Sequence, residues 1–392
     1  MSFVLNLVLL VLNVPVTLAA TYLFIATVLS RRLPLPASVQ ASRRFRFIVP
    51  AHNESAGIGP TVQSLLAVDY DSSLFDVLVV ADNCNDDTAA CARAAGAVVL
   101  ERHDAERRGK GYALHLAFSN LPPEVDAVVV VDADTLVSAN LLRAFAARRD
   151  QGAVAMQADY AVRNPEASWR TRLMAIAFGA FHIVRSRARE RLALSCGLRG
   201  NGMCFSASLL AEIPHDAFSI VEDVEYGIRL GEGGYRVQYT DEAHVYGEMV
   251  STAAAATSQR RRWEDGRKDL VSRNAMRLLR SGLATGDRVL IDLALDLLVP
   301  PLSRIAVSAV VGLLAAGVLS ACSRAVAPSA VPFAFCVAAV FLYVLRGWSV
   351  SGTGARGLLD LALAPVYVIW KATLSLRQPF RQTADWVRTK RE

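Results

Sequence analysis

Ala127-Val128-Val129-Val130-Val131-Asp132-Ala133-Asp134 is the stretch on which the fold of this chain turns. An alanine and four valines in a row are apolar on both faces and β-branched, the pattern of a strand buried in the middle of a parallel sheet. Carboxylates at its end put acid where open α/β sheets bind their ligands, beyond the carboxyl ends of the strands. In extended backbone, residues two apart point the same way. Asp132 and Asp134 are therefore expected to face one pocket. Two hard oxygen donors of this kind suit Mg2+ or Mn2+.

Working outward, the same grammar repeats on the N-terminal side. Phe45 to Val49 and Phe75 to Ala81 are short apolar runs, and Ala97 to Leu100 is a third. Between them Ile58 to Val68, Asp86 to Ala95 and Gly111 to Phe118 have helical character. Strands alternating with helices imply a mostly parallel sheet covered on both faces. Polar residues gather where each strand ends: Asn53 and Glu54 after the first, Asp82, Asn83 and Asn85 after the second. Arg108-Gly109-Lys110-Gly111 opens a helix, and a helix N-terminus entered through glycine favours a phosphate. No G-x-x-x-x-G-K-[ST] loop is present, which disfavours a P-loop nucleotidase.

On the C-terminal side the alternation is expected to stop after a strand at Val154 to Ala158. Trp169 to Arg191 reads as one long helix, with Leu173, Ala177, Phe181 and Val184 on one side and Arg172, Arg185, Arg187 and Arg189 largely elsewhere. That distribution suits a helix at a membrane boundary or on a core surface. Ser219 to Glu222 has the form of a capping box, which gives Glu222 a structural reason to be there. Asp223 lacks that reason and is the candidate general base. A second long helix runs from about Ala253 to Leu279. In it Gln259, Arg262 and Trp263 stand at i, i+3 and i+4 on one face. An arginine fork grips phosphate oxygens, and an indole offers a flat plate to a sugar ring.

The ends of the chain have a different composition. Of 392 residues, 53% are hydrophobic, and the excess is concentrated in three uncharged runs, Val4 to Leu29, Ile305 to Ser323 and Ala325 to Leu345. Each is near the roughly 20 apolar residues that cross a bilayer as a helix. The first lacks a basic leader and is too long for a typical signal peptide, so a retained anchor is expected. Net charge is +6. The basic residues cluster in Arg31 to Arg46, Arg163 to Arg191, Gln259 to Arg280 and Lys371 to Glu392, leaving the rest of the chain acidic. Basic charge beside apolar segments fits a lipid surface and a bound phosphate rather than nucleic acid. Arginines just after the first run place the globular middle in the cytoplasm of a multi-pass inner-membrane protein. Val289 to Val299 and Leu358 to Trp370 are then interfacial or re-entrant. The expected divisions are 1–30, 43–250, 251–300, 302–347 and 357–392. Six cysteines without C-x-x-C spacing, and six histidines without ligand spacing, suggest neither zinc nor a disulfide framework.

Taken in order, Asp82, Asp132-Ala133-Asp134, Val221-Glu222-Asp223 and Gln259 to Trp263 resemble the membrane-integrated family 2 glycosyltransferases, such as cellulose, hyaluronan and poly-N-acetylglucosamine synthases. Their pattern is an Asp after the second strand, D-x-D, T-E-D and Q-x-x-R-W. The resemblance covers about Phe45 to Arg280. It implies a GT-A fold and an inverting transfer from a nucleotide-sugar, a UDP-sugar, to a growing glycan. Transfer of one sugar to a membrane lipid, as by ceramide glucosyltransferases, is the alternative, and a catalytically dead scaffold is a third. Carried over by position, Asp82 holds the nucleoside, Asp134 ligates the metal, Asp132 lines the donor site and Asp223 is the base. Gln259 and Arg262 grip the diphosphate and Trp263 meets the acceptor. Glu54 and Lys110 join the donor side. Gly200-Asn201-Gly202 resembles the loop between donor and acceptor, which puts Asn201 and Gly202 with the acceptor. The chain departs from the family at His52, where Tyr is usual, and at Val221, where Thr is usual. It has fewer apolar runs than cellulose synthase, so an export path would call on partner subunits.

Overall fold

A computed structural model of the chain describes residues 2–37, 42–249, 253–322 and 327–368, with the side chains of all but 2, 3, 5, 253–265, 267, 322, 327 and 328. The valine run forms β4 (Ala127–Val130) at the centre of an eight-stranded sheet. The other strands are β1 (Phe45–Ala51), β2 (Phe75–Asp82), β3 (Val98–Arg102), β5 (Thr135–Val137), β6 (Ala155–Val162), β7 (Met203–Ser206) and β8 (Gln238–Gly247). Their order is β3-β2-β1-β4-β7-β6-β8-β5. From β3 to β4 every pairing is parallel, as the alternation implied. β7 is antiparallel to both β4 and β6, β5 is antiparallel to β8, and β6 and β8 pair in parallel.

Helices α2 (Ile58–Leu66), α3 (Thr88–Ala94), α4 (Lys110–Ser119) and α5 (Leu141–Asp150) cover the sheet, with α8 (Ala207–Glu212) and α9 (Glu222–Glu232) added in its C-terminal half. Strand alternation splits the core between the two faces. Phe47, Val49 and Val129 pack with Ile58, Leu65 and Phe145 on one side. Ile48, Val128 and Val130 pack with Leu114, Phe205 and Tyr226 on the other. The expectation that the alternation ends at Ala158 is overturned: β7, α8, α9 and β8 continue the α/β layering. Two of these strands pair out of sequence order, a non-local arrangement that local patterning does not reveal.

The expected long helix is one continuous rod in three parts: α6 (Trp169–Phe178), a π-helical stretch over Gly179–Val184, and α7 (Arg185–Arg191). A π segment inserts extra residues into a helix and commonly marks a functional site. It re-aims the arginines. Arg185 and Arg189 are buried, not displayed at a boundary. They meet Asp296 and Asp292 of α11 (Arg288–Leu298), whose face of Leu290, Leu293, Ala294 and Leu297 is packed inside. The segment read as interfacial is thus a wall of the globular part.

Helices α1 (Ser2–Leu29), α12 (Leu302–Cys322) and α13 (Ala327–Val350) each contain a stretch long and apolar enough to cross a membrane. Their outward faces are apolar, chiefly Val and Leu with Ile25, Phe335 and Phe341; Leu18 is 67% exposed and Leu314 64%. α13 leans on the π segment. A Cβ on Gly347 would stand 2.7 Å from Ala180 Cβ, and one on Gly179 would stand 2.6 Å from the Gly347 carbonyl oxygen. Only glycines permit that approach. The Tyr343 hydroxyl donates to the Ala180 carbonyl across it at 2.7 Å. α10 (Ala253–Thr285) packs against α11, and α14 (Gly354–Asp360) against α6.

Candidate active site

β1 and β4 lie side by side and end at the same edge of the sheet, and the residues after them open onto one cavity of about 600 Å³. Glu54 and His52 line it from the β1 end, Asp132 and Asp134 from the β4 end, and Lys110 from the start of α4. Glu222 and Asp223, from the start of α9, complete this pole. The two aspartates of Asp132-Ala133-Asp134 share the cavity, but not through extended alternation. The strand ends at Val130 and the pair sits in a turn, closed where the Thr135 amide donates to the Asp132 carbonyl at 3.2 Å.

Lys110 is the electrostatic hub. Gly109, at φ +133°, hands the chain into α4 in a conformation that L-residues rarely adopt. The Lys110 ammonium donates to Asp132 Oδ1 at 2.6 Å and to the Gly200 carbonyl at 2.5 Å, with Glu222 Oε1 at 3.7 Å. Burial alone would push this lysine down. Asp132 and Glu222 more than offset that and hold it above its ordinary value. Burial pushes Glu222 up to about 8 against the pull of Lys110, with Asp223 adding to the rise. Asp223 is also raised by burial, opposed by the Val224 amide, Lys110 and Arg199. Two adjacent carboxylates with elevated proton affinity, Glu222 buried and Asp223 half-buried, are the condition under which a carboxylate takes a proton near neutral pH.

The expected capping box does not form. α9 begins at Glu222 itself, with Val221 at the N-cap and no side chain capping it, while the Ser219 amide donates to Glu225 at 3.1 Å. Glu222 therefore belongs to the charge cluster rather than to the helix end, a correction to the sequence reading. The asparagines at the strand ends build loops. Asn53 (φ +56°) accepts from the Asn85 amide, and Asn83 (φ +51°) accepts from the Asp104 amide. Left-handed backbone of this kind is tolerated by asparagine.

Two other sequence candidates face inward. Asp82 is fully buried; its Oδ1 accepts from Arg102 at 2.6 Å and from Asn83 at 2.9 Å, and its Oδ2 has no partner among the described residues. Asn201 is also fully buried. It accepts from the Asp132 amide at 3.2 Å and donates to Thr135 Oγ1 at 2.8 Å, so it braces the acidic turn, and the Gly202 amide donates to Val130. The cavity wall at this loop is formed instead by Arg199 and Gly200. The side chains of Gln259, Arg262 and Trp263 lie outside the described residues, although Leu270 further along α10 reaches the cavity.

Away from the carboxylates the lining turns apolar. Met174, Ala177 and Phe178 of α6, Phe181 of the π segment, and Leu293 and Leu297 of α11 form this second pole. His182 lies among them. Burial pushes it down to about 3, so the ring is neutral, stacked on Phe178, with Nδ1 at 3.0 Å from the Tyr160 carbonyl. The sequence reading gives no site role to His182 or Arg199, nor to His52 beyond its departure from the family's Tyr, yet all three line the cavity. An arginine directly before a Gly-Asn-Gly loop was the one available signal.

Among the described residues no three His, Cys, Asp or Glu side chains converge as a metal cage. Asp132 and Asp134 supply hard oxygens, and Mg2+ is commonly held by one or two carboxylates with substrate phosphates completing the shell. The donor set fits such an ion.

Residues 43–266 match the protein family described as glycosyltransferase like family 2. The β-monoglucosyldiacylglycerol synthase of Synechocystis sp. is 30% identical over 231 residues, 56% of this chain and 47% of that protein. The probable glycosyltransferase YdaM of Bacillus subtilis is 23% identical over 233 residues, 57% of this chain and 55% of its own. The chain thus spans about half the length of the curated relatives it matches. Among solved structures, the mannosyltransferase PcManGT from Pyrobaculum calidifontis, in complex with GDP-Man and Mn2+, aligns with a TM-score of 0.53 at 19% identity. That alignment covers 85% of this chain and 98% of the other. The likeness is one of fold.

Proposed function

The chain belongs to the glycosyltransferase like family 2 and is a glycosyltransferase with a GT-A-like α/β fold; from that premise we propose that it transfers a sugar from a nucleoside-diphosphate donor to a membrane lipid. The observation that carries this reading is the two-pole cavity. Carboxylates gather at one end, and an apolar wall shared with the helix under α13 forms the other. A glycan acceptor calls for walls of hydrogen-bonding groups, whereas this pole offers apolar surface from Met174, Ala177, Leu293 and Leu297 beside Phe178 and Phe181, which serves hydrocarbon. This reading puts the lipid ahead of the glycan, the opposite of the order drawn from the sequence. The lipid named for the Synechocystis relative supports the same choice.

In this reading Asp223 takes the proton from the acceptor hydroxyl as that oxygen attacks the anomeric carbon. The nucleoside diphosphate leaves from the opposite face, inverting the centre. Asp134 and Asp132 would hold a divalent cation, which when bound supplies neutralising charge to the diphosphate. Lys110, now paired with Asp132, turns its ammonium to donate to a phosphate oxygen of the donor. Glu54 and Asp82 position the rest of the donor, Gln259 and Arg262 grip the diphosphate, and Trp263 borders the acceptor, while Asn201 and Gly202 act from beneath by bracing the turn that carries Asp132. The three apolar helices span the inner membrane, with the sheet domain on the cytoplasmic side marked by Arg31 and Arg32.

The test is a donor screen on the detergent-solubilised chain, measuring nucleoside diphosphate release and lipid-mobile product with and without Mn2+. One UDP-sugar is expected to give a single metal-dependent glycolipid. A ladder of lengthening products would instead establish the polymer reading that Gln259 to Trp263 suggested.

A further inference from the structure

Between the two poles lies a cluster of buried charge that the transfer chemistry leaves unused. Arg185 and Arg189 of α7 point at α11, where Arg185 pairs with Asp296 and Arg189 reaches Asp292 Oδ2 at 2.5 Å and Asp296 Oδ2 at 3.4 Å. Two cations thus meet two anions. A third guanidinium, Arg199, stands beside them. Its Nη1 and that of Arg189 both come within 4 Å of the position a Cβ on Gly197 would take. Among the described residues Arg199 forms no ion pair. Its Nη2 donates to the Cys196 carbonyl at 2.9 Å, and its Nε is buried with no hydrogen-bond partner.

The contrast among the three is physical. Burial disfavours the charged form of each. Asp296 and Asp292 restore it for Arg185 and Arg189, whereas Arg199 is left below its ordinary value despite Asp296 nearby. A half-buried cation with no direct ion pair among the described residues is costly. Arg199 keeps it on the cavity wall, with its guanidinium 4.3 Å from the Phe181 ring centroid. The next residue, Gly200, lies within 4 Å of Asp223 Oδ2, measured from the position a Cβ would occupy. The cation thus lies on the apolar wall, one residue before the backbone that meets the candidate base, and its charge acts on Asp223.

We propose that Arg199 is a specificity-determining residue that binds an anionic headgroup of the acceptor, so that the lipid glycosylated here carries a phosphate-type anion close to its reacting hydroxyl. This rests on the lipid-acceptor reading. A forked guanidinium matches the oxygens of a phosphate, and hydrogen bonds to charge are the strong ones. Hydrocarbon then lies along Phe181, Phe178 and Leu297 while the hydroxyl faces Asp223. A neutral diacylglycerol would leave Arg199 without a partner.

The experiment measures binding rather than turnover. The full chain in a neutral maltoside detergent is titrated with phosphatidic acid, with diacylglycerol and with inorganic phosphate, following lipid retention by native mass spectrometry and the rise in melting temperature. The wild type is expected to hold phosphatidic acid at least roughly 10-fold more tightly than diacylglycerol, and Arg199→Gln to remove that preference. Arg199→Lys should restore part of it. Inorganic phosphate that binds through Arg199 as tightly as phosphatidic acid would overturn the lipid source. Arg199→Gln, with its unmatched charge gone, is expected to melt no lower than wild type. A lower melting temperature, with lipid preference intact, would show Arg199 to be an internal partner of Asp296 or Asp223 and overturn the proposal. Equal retention of phosphatidic acid and diacylglycerol by the wild type would overturn it as well. Metal-dependent release of nucleoside diphosphate, read separately, reports on the transferase reading, so the two fail independently.

Discussion

The two poles of the cavity are built by opposite means. The acidic pole is assembled from strand ends and helix starts, each contributing a carboxylate or a cation from a rigid element, with Lys110 keeping Asp132, Glu222 and Asp223 within one small volume. The apolar pole is assembled by packing: a π segment wedged between α13 and the sheet domain, and the inner face of α11. The first is organised by charge and the second by shape. In the proposed reading the chemistry belongs to one end, while the other presents an apolar face to the acceptor.

Removing Asp223 should separate the poles most sharply. Asp223→Asn is expected to lower transfer by roughly 10²–10⁴-fold, the usual contribution of a general base, while donor binding, followed by calorimetry with the nucleoside diphosphate, is nearly kept. Wild-type turnover in that variant would remove the base from the acidic pole. At the other pole, Gly347→Leu forces a side chain into Ala180 and the Ile176 carbonyl. It should cost about 1–3 kcal/mol in thermal unfolding and raise the KM for lipid acceptor more than that for donor. Equal effects on both would mean that the two poles are not separable.

The smallest effect is a pH signature with one limb from each pole. Glu222 ionises near 4.5 in an unfolded chain and is raised to about 8 here. Its contribution to stability is present below about 4.5 and lost as pH rises towards 8. His182 is lowered from 6.5 to about 3. Its contribution is present above about 6.5 and lost as pH falls. Melting temperature measured across pH should therefore fall on both sides, with Glu222→Gln flattening the alkaline limb and His182→Gln making the acid limb shallower. A variant that altered the opposite limb would break the assignment.

The same contrast explains what the sequence allowed one to read. The parallel half of the sheet was legible because its strands are continuous apolar runs and its polar residues fall at strand ends. Phe45, Phe75, Val98 and Ala127 begin strands within one residue of the expected places. The antiparallel insertion of β7 and the late β8 were not, since their partners lie far along the chain. Arg185 and Arg189 were read as outward-facing because the carboxylates that bury them, Asp292 and Asp296, come about a hundred residues later. Glu222 was assigned to a cap because Ser219 has the right spacing, and only the fold brings Lys110 against it. Asp134, Asp132, Glu54, Lys110 and Asp223 line one cavity, and their charge at strand and helix ends is visible locally. The apolar pole carries no motif.

The most direct measurement is the position of Mn2+ in crystals grown with a nucleoside diphosphate, located by anomalous scattering at the manganese edge. The expected peak lies within coordination distance of Asp134, in the cavity that Asp223 also lines, with the diphosphate reaching Lys110. A manganese peak away from the end of β4, or a diphosphate outside that cavity, would contradict the reading of this edge of the sheet as the donor site.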